Sequence, residues 1–135
     1  KSIKKKIIDM EIKKTGKLFS FCCAAPAIIK KKNYKEIKFF EDIGSKIGLL
    51  FQIADDLIDF KGDSKKAGKK TGKDQKKGKA TLISLLGYNN AIKYCDKIIL
   101  DINKKLKPYG PNTKYIKETL DYILYRDRWK KIINI

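Results

Sequence analysis

Long apolar runs are missing from this sequence of 135 residues, and so is histidine. Neither a signal-peptide core nor a stretch of about 18 uninterrupted apolar residues occurs, so secretion and membrane spanning are not indicated. We therefore expect a cytoplasmic protein. The alternation of polar and apolar residues that a sheet would need is also absent, which leaves an all-α fold.

Cysteine is scarce, and the spacing of its three residues suits neither disulfide bonds nor a metal site. Cys22 and Cys23 are neighbours and Cys95 stands alone. An odd number with this spacing predicts neither a disulfide framework nor a zinc site. We expect all three to be small buried apolar side chains.

Arginine is nearly absent although the net charge is +18. Of 33 basic residues only Arg126 and Arg128 are arginine, so 31 are lysine. A basic protein that binds polyanions or anionic membranes is one alternative. Base readout and stacking usually use arginine forks and exposed aromatic side chains, which the basic runs lack. We therefore expect a lysine-coated surface and no nucleic-acid partner.

Helical periodicity runs along the whole chain, which suits one domain over residues 1–135. Pro26 should bend or end the first helix, KKKNY is a polar connector, and Pro108 and its neighbours should end the fourth helix. The segment KGDSKKAGKKTGKDQKKGK, residues 61–79, should form a long solvated loop of the kind that often serves function. The predicted helices cover residues 3–29, 36–61, about 80–87, 89–107 and about 112–132. Because residue 1 is not Met and KSIKKKIIDM resembles the flank of a helix, we expect a piece of a longer protein.

The second helix, with its segment IGLLFQIADDLIDF, carries one unusual face. Gln52, Asp55, Asp56 and Asp59 fall within about 100° of arc on a helix that is apolar around most of its circumference. Carboxylates packed this closely repel one another unless cations are present, and magnesium prefers oxygen ligands. The same face continues into small residues, which either line an apolar cavity or permit close helix packing: Gly44, Ser45 and Gly48.

These segments resemble the trans-type polyprenyl diphosphate synthases, the family of farnesyl and geranylgeranyl diphosphate synthases. The resemblance rests on KTG in KKTGKLF, FQxxDDxxD in the acidic helix, GKxxGxDxxxGK in the following loop and LDYILYRDR near the end. It covers nearly the whole chain and implies the C-terminal part of an isoprenoid-synthase helical bundle. It also implies condensation of an allylic diphosphate with isopentenyl diphosphate by a protein that forms a homodimer at full length.

The resemblance assigns roles to individual residues of this sequence. Asp55, Asp56 and Asp59 would hold Mg²⁺, and Thr15 and Gln52 would lie beside the carbon where positive charge develops. The diphosphate and isopentenyl diphosphate contacts would come from basic residues: Lys14, Lys69, the weaker candidate Lys79, and Arg126, with which Arg128 competes. The departing diphosphate would accept the proton at the end, which suits a chain without histidine.

One departure from the family limits these expectations. Nothing before Lys14 resembles the first aspartate-rich motif, which the family needs across the cavity, so the isolated chain should be inactive. A non-catalytic partner subunit of a prenyl synthase is therefore a second alternative. The length of the product cannot be predicted, because the upstream half of the family sets it.

Overall fold

The computed structural model describes residues 2–67 and 81–132, and the side chains of residues 2–62 and 81–125. Every element in this part of the chain is helical, so the predicted all-α class is confirmed. The α-helices are α1 (Ile3–Glu11), α2 (Lys17–Ile29), α3 (Tyr34–Ala67), α4 (Leu82–Leu86), α5 (Tyr88–Leu106) and α6 (Lys114–Ile132). A π-helical turn, Ile12–Gly16, joins α1 to α2, and a 3₁₀ segment, Lys107–Thr113, joins α5 to α6.

The first helical run is continuous but not uniform. It begins after Ser2, whose side chain accepts a hydrogen bond from the Lys5 amide, as an N-cap should. Pro26 lies inside α2 and the helix ends three residues later at Ile29. The reversal that follows uses a left-handed Lys31 (φ 52°) and a bond from the Lys32 amide to the Ala27 carbonyl, 2.9 Å. The π turn in its middle was not predicted.

Helix α3 is longer than its sequence pattern indicates. Asn33 caps its start by accepting a hydrogen bond from the Glu36 amide, 2.9 Å. The helix continues to Ala67, so the prediction that a loop begins at residue 61 is wrong for residues 61–67. Extending an existing helix costs far less than nucleating one, and the lysines and alanine of this stretch favour helix. The rest of the predicted loop, residues 68–79, lies outside the described residues.

The remaining predicted helices are confirmed with small shifts at their ends. Thr81 and Ser84 form a reciprocal capping box at the start of α4. Gly87 takes φ 79° between α4 and α5, a conformation that favours glycine. After α5 ends at Leu106, Pro108 and Gly110 (φ 61°) break the helix before α6, as their sequence predicted.

The core gathers around the middle of α3. The side chains buried most completely come from α3, α4, α5 and α6: Ile43, Leu50, Ile53, Leu82, Cys95, Ile102, Leu106 and Leu120. This burial confirms that α3 is an internal helix of a bundle. None of the described lysines is buried, which agrees with a lysine-coated surface.

The three cysteines differ in their surroundings. Cys95 is fully buried, as predicted, and burial raises the pKa of its thiol to about 12. Cys23 is half-buried, but Cys22 is exposed, so the prediction of burial is wrong for Cys22. It lies on the outer face of α2, where Leu18 and Phe21 are also exposed. Within residues 2–67 and 81–132, no helix is long and apolar enough to cross a membrane.

Candidate active site

The KTG segment packs against the middle of α3. The Thr15 hydroxyl donates a hydrogen bond to Gln52 Oε1 at 3.1 Å, and only 9% of Gln52 is exposed. Further along, the Ser20 hydroxyl donates to the Glu41 carbonyl at 3.0 Å. Residue numbers therefore rise on one helix as they fall on the other, so the two helices run antiparallel. The structure thus joins Thr15 and Gln52, two predicted site residues that are far apart in the sequence.

Glycines allow this close approach. A Cβ atom on Gly48 would lie 2.6 Å from the Gly16 Cα, and one on Gly44 would lie 2.3 Å from the Phe19 carbonyl oxygen. Both distances are too short for any side chain. The cavity-wall interpretation of Gly44 and Gly48 is therefore wrong, and the alternative, close helix packing, is confirmed for these two positions.

The acidic residues follow Gln52 along α3 and become progressively more exposed. Asp55 and Asp56 are half-buried, and Asp59 is exposed. Among the residues with described surroundings, no three His, Cys, Asp or Glu side chains converge as a metal-binding group. The donor chemistry nevertheless fits magnesium, which takes carboxylate oxygens, keeps several waters and shares substrate phosphates. The assignment of Asp55, Asp56 and Asp59 as ligands stays a prediction.

Lys14 lies apart from the Thr15–Gln52 pair. Its side chain is exposed and lines an open hollow on the outer side of α1 together with Lys6, Asp9, Met10 and Lys13. None of the three predicted metal ligands lines this hollow. The hollow carries three ammonium groups and one carboxylate, so it favours an anion.

The other predicted basic residues are not tested. Lys69 and Lys79 lie outside the described residues. Arg126 and Arg128 belong to α6, but their side chains also lie outside the described part. Their proposed contacts with diphosphates stay predictions.

A buried acid next to the KTG segment was not predicted from the sequence. Glu11, the last residue of α1, is only 4% exposed. Glu11 lies one turn before Thr15 along its helical run, and Asp55 and Asp56 lie one turn beyond Gln52 on α3. Because the two helices run antiparallel, Glu11 is at about the same level as these two aspartates. Its i, i+4 spacing from the buried Ile7 could have placed it on the apolar face.

A network of ion pairs between α3 and α5 was also not predicted from the sequence. Lys46 on α3 contacts Asp101 on α5 at 2.6 Å and Asp42 at 2.9 Å, and Lys105 contacts Asp42 at 2.5 Å. Partial burial opposes the charge on Lys46, but these hydrogen bonds outweigh it and raise the pKa of the ammonium. The pKa of Asp101 is lowered chiefly by its bond to Lys46. The network fixes α3, the helix of the acidic face, against α5.

Comparison with known proteins identifies the family of this chain. The sequence profile of the family Polyprenyl synthetase matches residues 2–121. This chain belongs to that family.

Its relatives carry the names of prenyl-transferring enzymes. The chain is 31% identical over 119 residues to a farnesyl diphosphate synthase of Micrococcus luteus, covering 88% of this chain and 41% of that protein. It is 33% identical over 115 residues to a farnesyl diphosphate synthase of Bacillus subtilis, with 85% and 39% covered. A dimethylallyltranstransferase of Fischerella ambigua is 34% identical over 113 residues, with 84% and 33% covered. The chain therefore spans between 33% and 41% of the length of these relatives.

Proposed function

We propose that this chain is part of a polyprenyl diphosphate synthase that condenses an allylic diphosphate with isopentenyl diphosphate. The observation that carries the proposal is the hydrogen bond between Thr15 of the KTG turn and Gln52 of the acidic helix. The family membership and the names of the relatives point to the same chemistry.

Thr15 and Gln52 suit a site where positive charge develops. Because the Thr15 hydroxyl donates its proton to Gln52, its oxygen lone pairs remain available to face the allylic carbon. A partly buried pair held by its own hydrogen bond needs little rearrangement as that carbon ionises. The pair would stabilise the carbocation without acting as a nucleophile.

The diphosphate would leave toward the charged groups of the site. Asp55, Asp56 and Asp59 would hold magnesium, which neutralises negative charge on the leaving oxygens. The family resemblance assigns Lys14 to the same anion, although its side chain lines an exposed hollow that none of the three acids lines. The proton lost at the end would pass to the departing diphosphate, which suits a chain without histidine. We also propose that the full-length protein forms a homodimer, as the family resemblance implies, and sedimentation of that protein tests this.

The test of the function uses the chain together with the upstream half that the family resemblance implies. We expect magnesium-dependent condensation, and Asp55→Ala should lower turnover at least a hundredfold, on the order of 3 kcal/mol of transition-state stabilisation. Glu118→Ala, which removes an exposed carboxylate of α6 outside the LDYILYRDR segment, is the matched control and should keep its rate. A normal rate for Asp55→Ala would remove that residue from the mechanism. A correctly folded but inactive full-length protein would favour the alternative of a non-catalytic partner subunit.

A further inference from the structure

We propose that Gly16 and Gly48 are positioning residues, whose backbone contact holds Thr15 within hydrogen-bonding reach of Gln52. The catalytic consequence of this role rests on the proposed function. The positioning itself is a property of the folded chain and can be measured without any substrate.

The contact leaves no room for a side chain. A Cβ on Gly48 would meet the Gly16 Cα at 2.6 Å, whereas ordinary contacts of this kind begin near 3.4 Å. The helices would have to separate locally by about 0.8 Å, the difference between these distances. The Thr15–Gln52 distance, now 3.1 Å, would then approach 3.9 Å, beyond hydrogen-bonding range.

The π turn connects this contact to Thr15. Ile12–Gly16 widens the helix by one residue in the turn that contains both Thr15 and Gly16. A Cβ on Gly16 would lie 3.3 Å from the Ser45 carbonyl oxygen, so the turn also approaches α3 about one helical turn before Gly48. The position of Thr15 therefore depends on the position of Gly16, because the two residues belong to the same helical turn.

A purely structural role for Gly48 makes a different prediction. If the glycine contact only allows packing, its loss and the loss of the Thr15 hydroxyl should destabilise the chain independently. If the contact positions Thr15, the hydroxyl should contribute little to the stability of the chain once the contact is changed. A double-mutant cycle separates these possibilities.

The experiment measures urea unfolding of the full 135-residue chain. Thr15→Val should raise the unfolding equilibrium constant about fivefold in the parent chain, as expected for a lost hydrogen bond. In a Gly48→Ala background the same change should raise it less than twofold. In a Gly62→Ala background it should again be about fivefold, because a Cβ on Gly62 meets nothing within 4 Å. A fivefold effect that persists beside Gly48→Ala would overturn the proposal.

A milder variant keeps the test decisive if Gly48→Ala does not fold. A Cβ on Gly16 would meet the Ser45 carbonyl oxygen at 3.3 Å, which is a milder clash than the 2.6 Å contact made by a Cβ on Gly48. The effect of Thr15→Val on the unfolding equilibrium should therefore also shrink in a Gly16→Ala background, but by less than in a Gly48→Ala background. Full additivity between Gly16→Ala and Thr15→Val would refute the positioning role.

Catalysis supplies a separate readout in the full-length protein. Gly16→Ala should lower kcat while KM for the allylic diphosphate changes little, and Thr15→Val should add no further loss. A KM effect with unchanged kcat would count against positioning of Thr15. Inactivity of the parent enzyme would count against the proposed function, while the unfolding cycle would still decide the inference about Gly16 and Gly48.

Discussion

Alanine at Gly44 is expected to destabilise the chain although alanine favours helices. The added Cβ would lie 2.3 Å from the Phe19 carbonyl oxygen and 2.7 Å from the Ser20 Cα, and both are backbone atoms that cannot rotate away. Overpacking of this kind costs about 1–3 kcal/mol, partly offset by up to about 1 kcal/mol of helix propensity. We therefore expect a net loss of roughly 1–2 kcal/mol, or several degrees in Tm.

The control for Gly44→Ala is Gly62→Ala on the same helix. Gly62 faces open space, so its replacement should stabilise the chain by up to about 1 kcal/mol through propensity alone. Thermal and urea unfolding followed by circular dichroism would compare the two variants directly. Equal stability of the two would show that α2 does not depend on Gly44 for its close approach to α3.

Two further predictions concern the core and the ion pairs. Leu50→Ala, at a fully buried position of α3, should lower the free energy of unfolding by about 2–5 kcal/mol. Leu100→Ala, at a position of α5 that is 67% exposed, should lower it far less, and similar urea midpoints for the two variants would show that Leu50 is not part of the core. The pKa values of Asp42 and Asp101 are lowered in the folded chain, so the stability they contribute is present above about pH 4 and is lost as the pH falls through the folded values. In the Lys46→Met variant the urea midpoint should fall less steeply as the pH is lowered. If the midpoint falls equally steeply in parent and variant, the ion pairs of Lys46 do not stabilise the fold.

The local features of the chain were predictable because helices have a short period. Positions three and four residues apart share a face, so the acidic stripe of α3 and its apolar remainder could be read without a fold. The breaks at KKKNY and near Pro108 were equally clear, because each contains residues that stop helices or start turns. The helix end at Ala67 was missed because lysine-rich sequence suits both a solvated loop and a solvated helix.

The sequence by itself determined the all-α class, the order of the helices, the acidic face and the lysine coat, since each depends on residues close together in the chain. Tertiary structure alone decided which residues meet across helices: Thr15 with Gln52, Gly16 with Gly48 and Lys46 with Asp101. Periodicity gives the face that a helix buries but not the height at which its neighbour crosses. That height depends on how closely two backbones can approach, which here is set by the absence of a Cβ atom at Gly44 and Gly48.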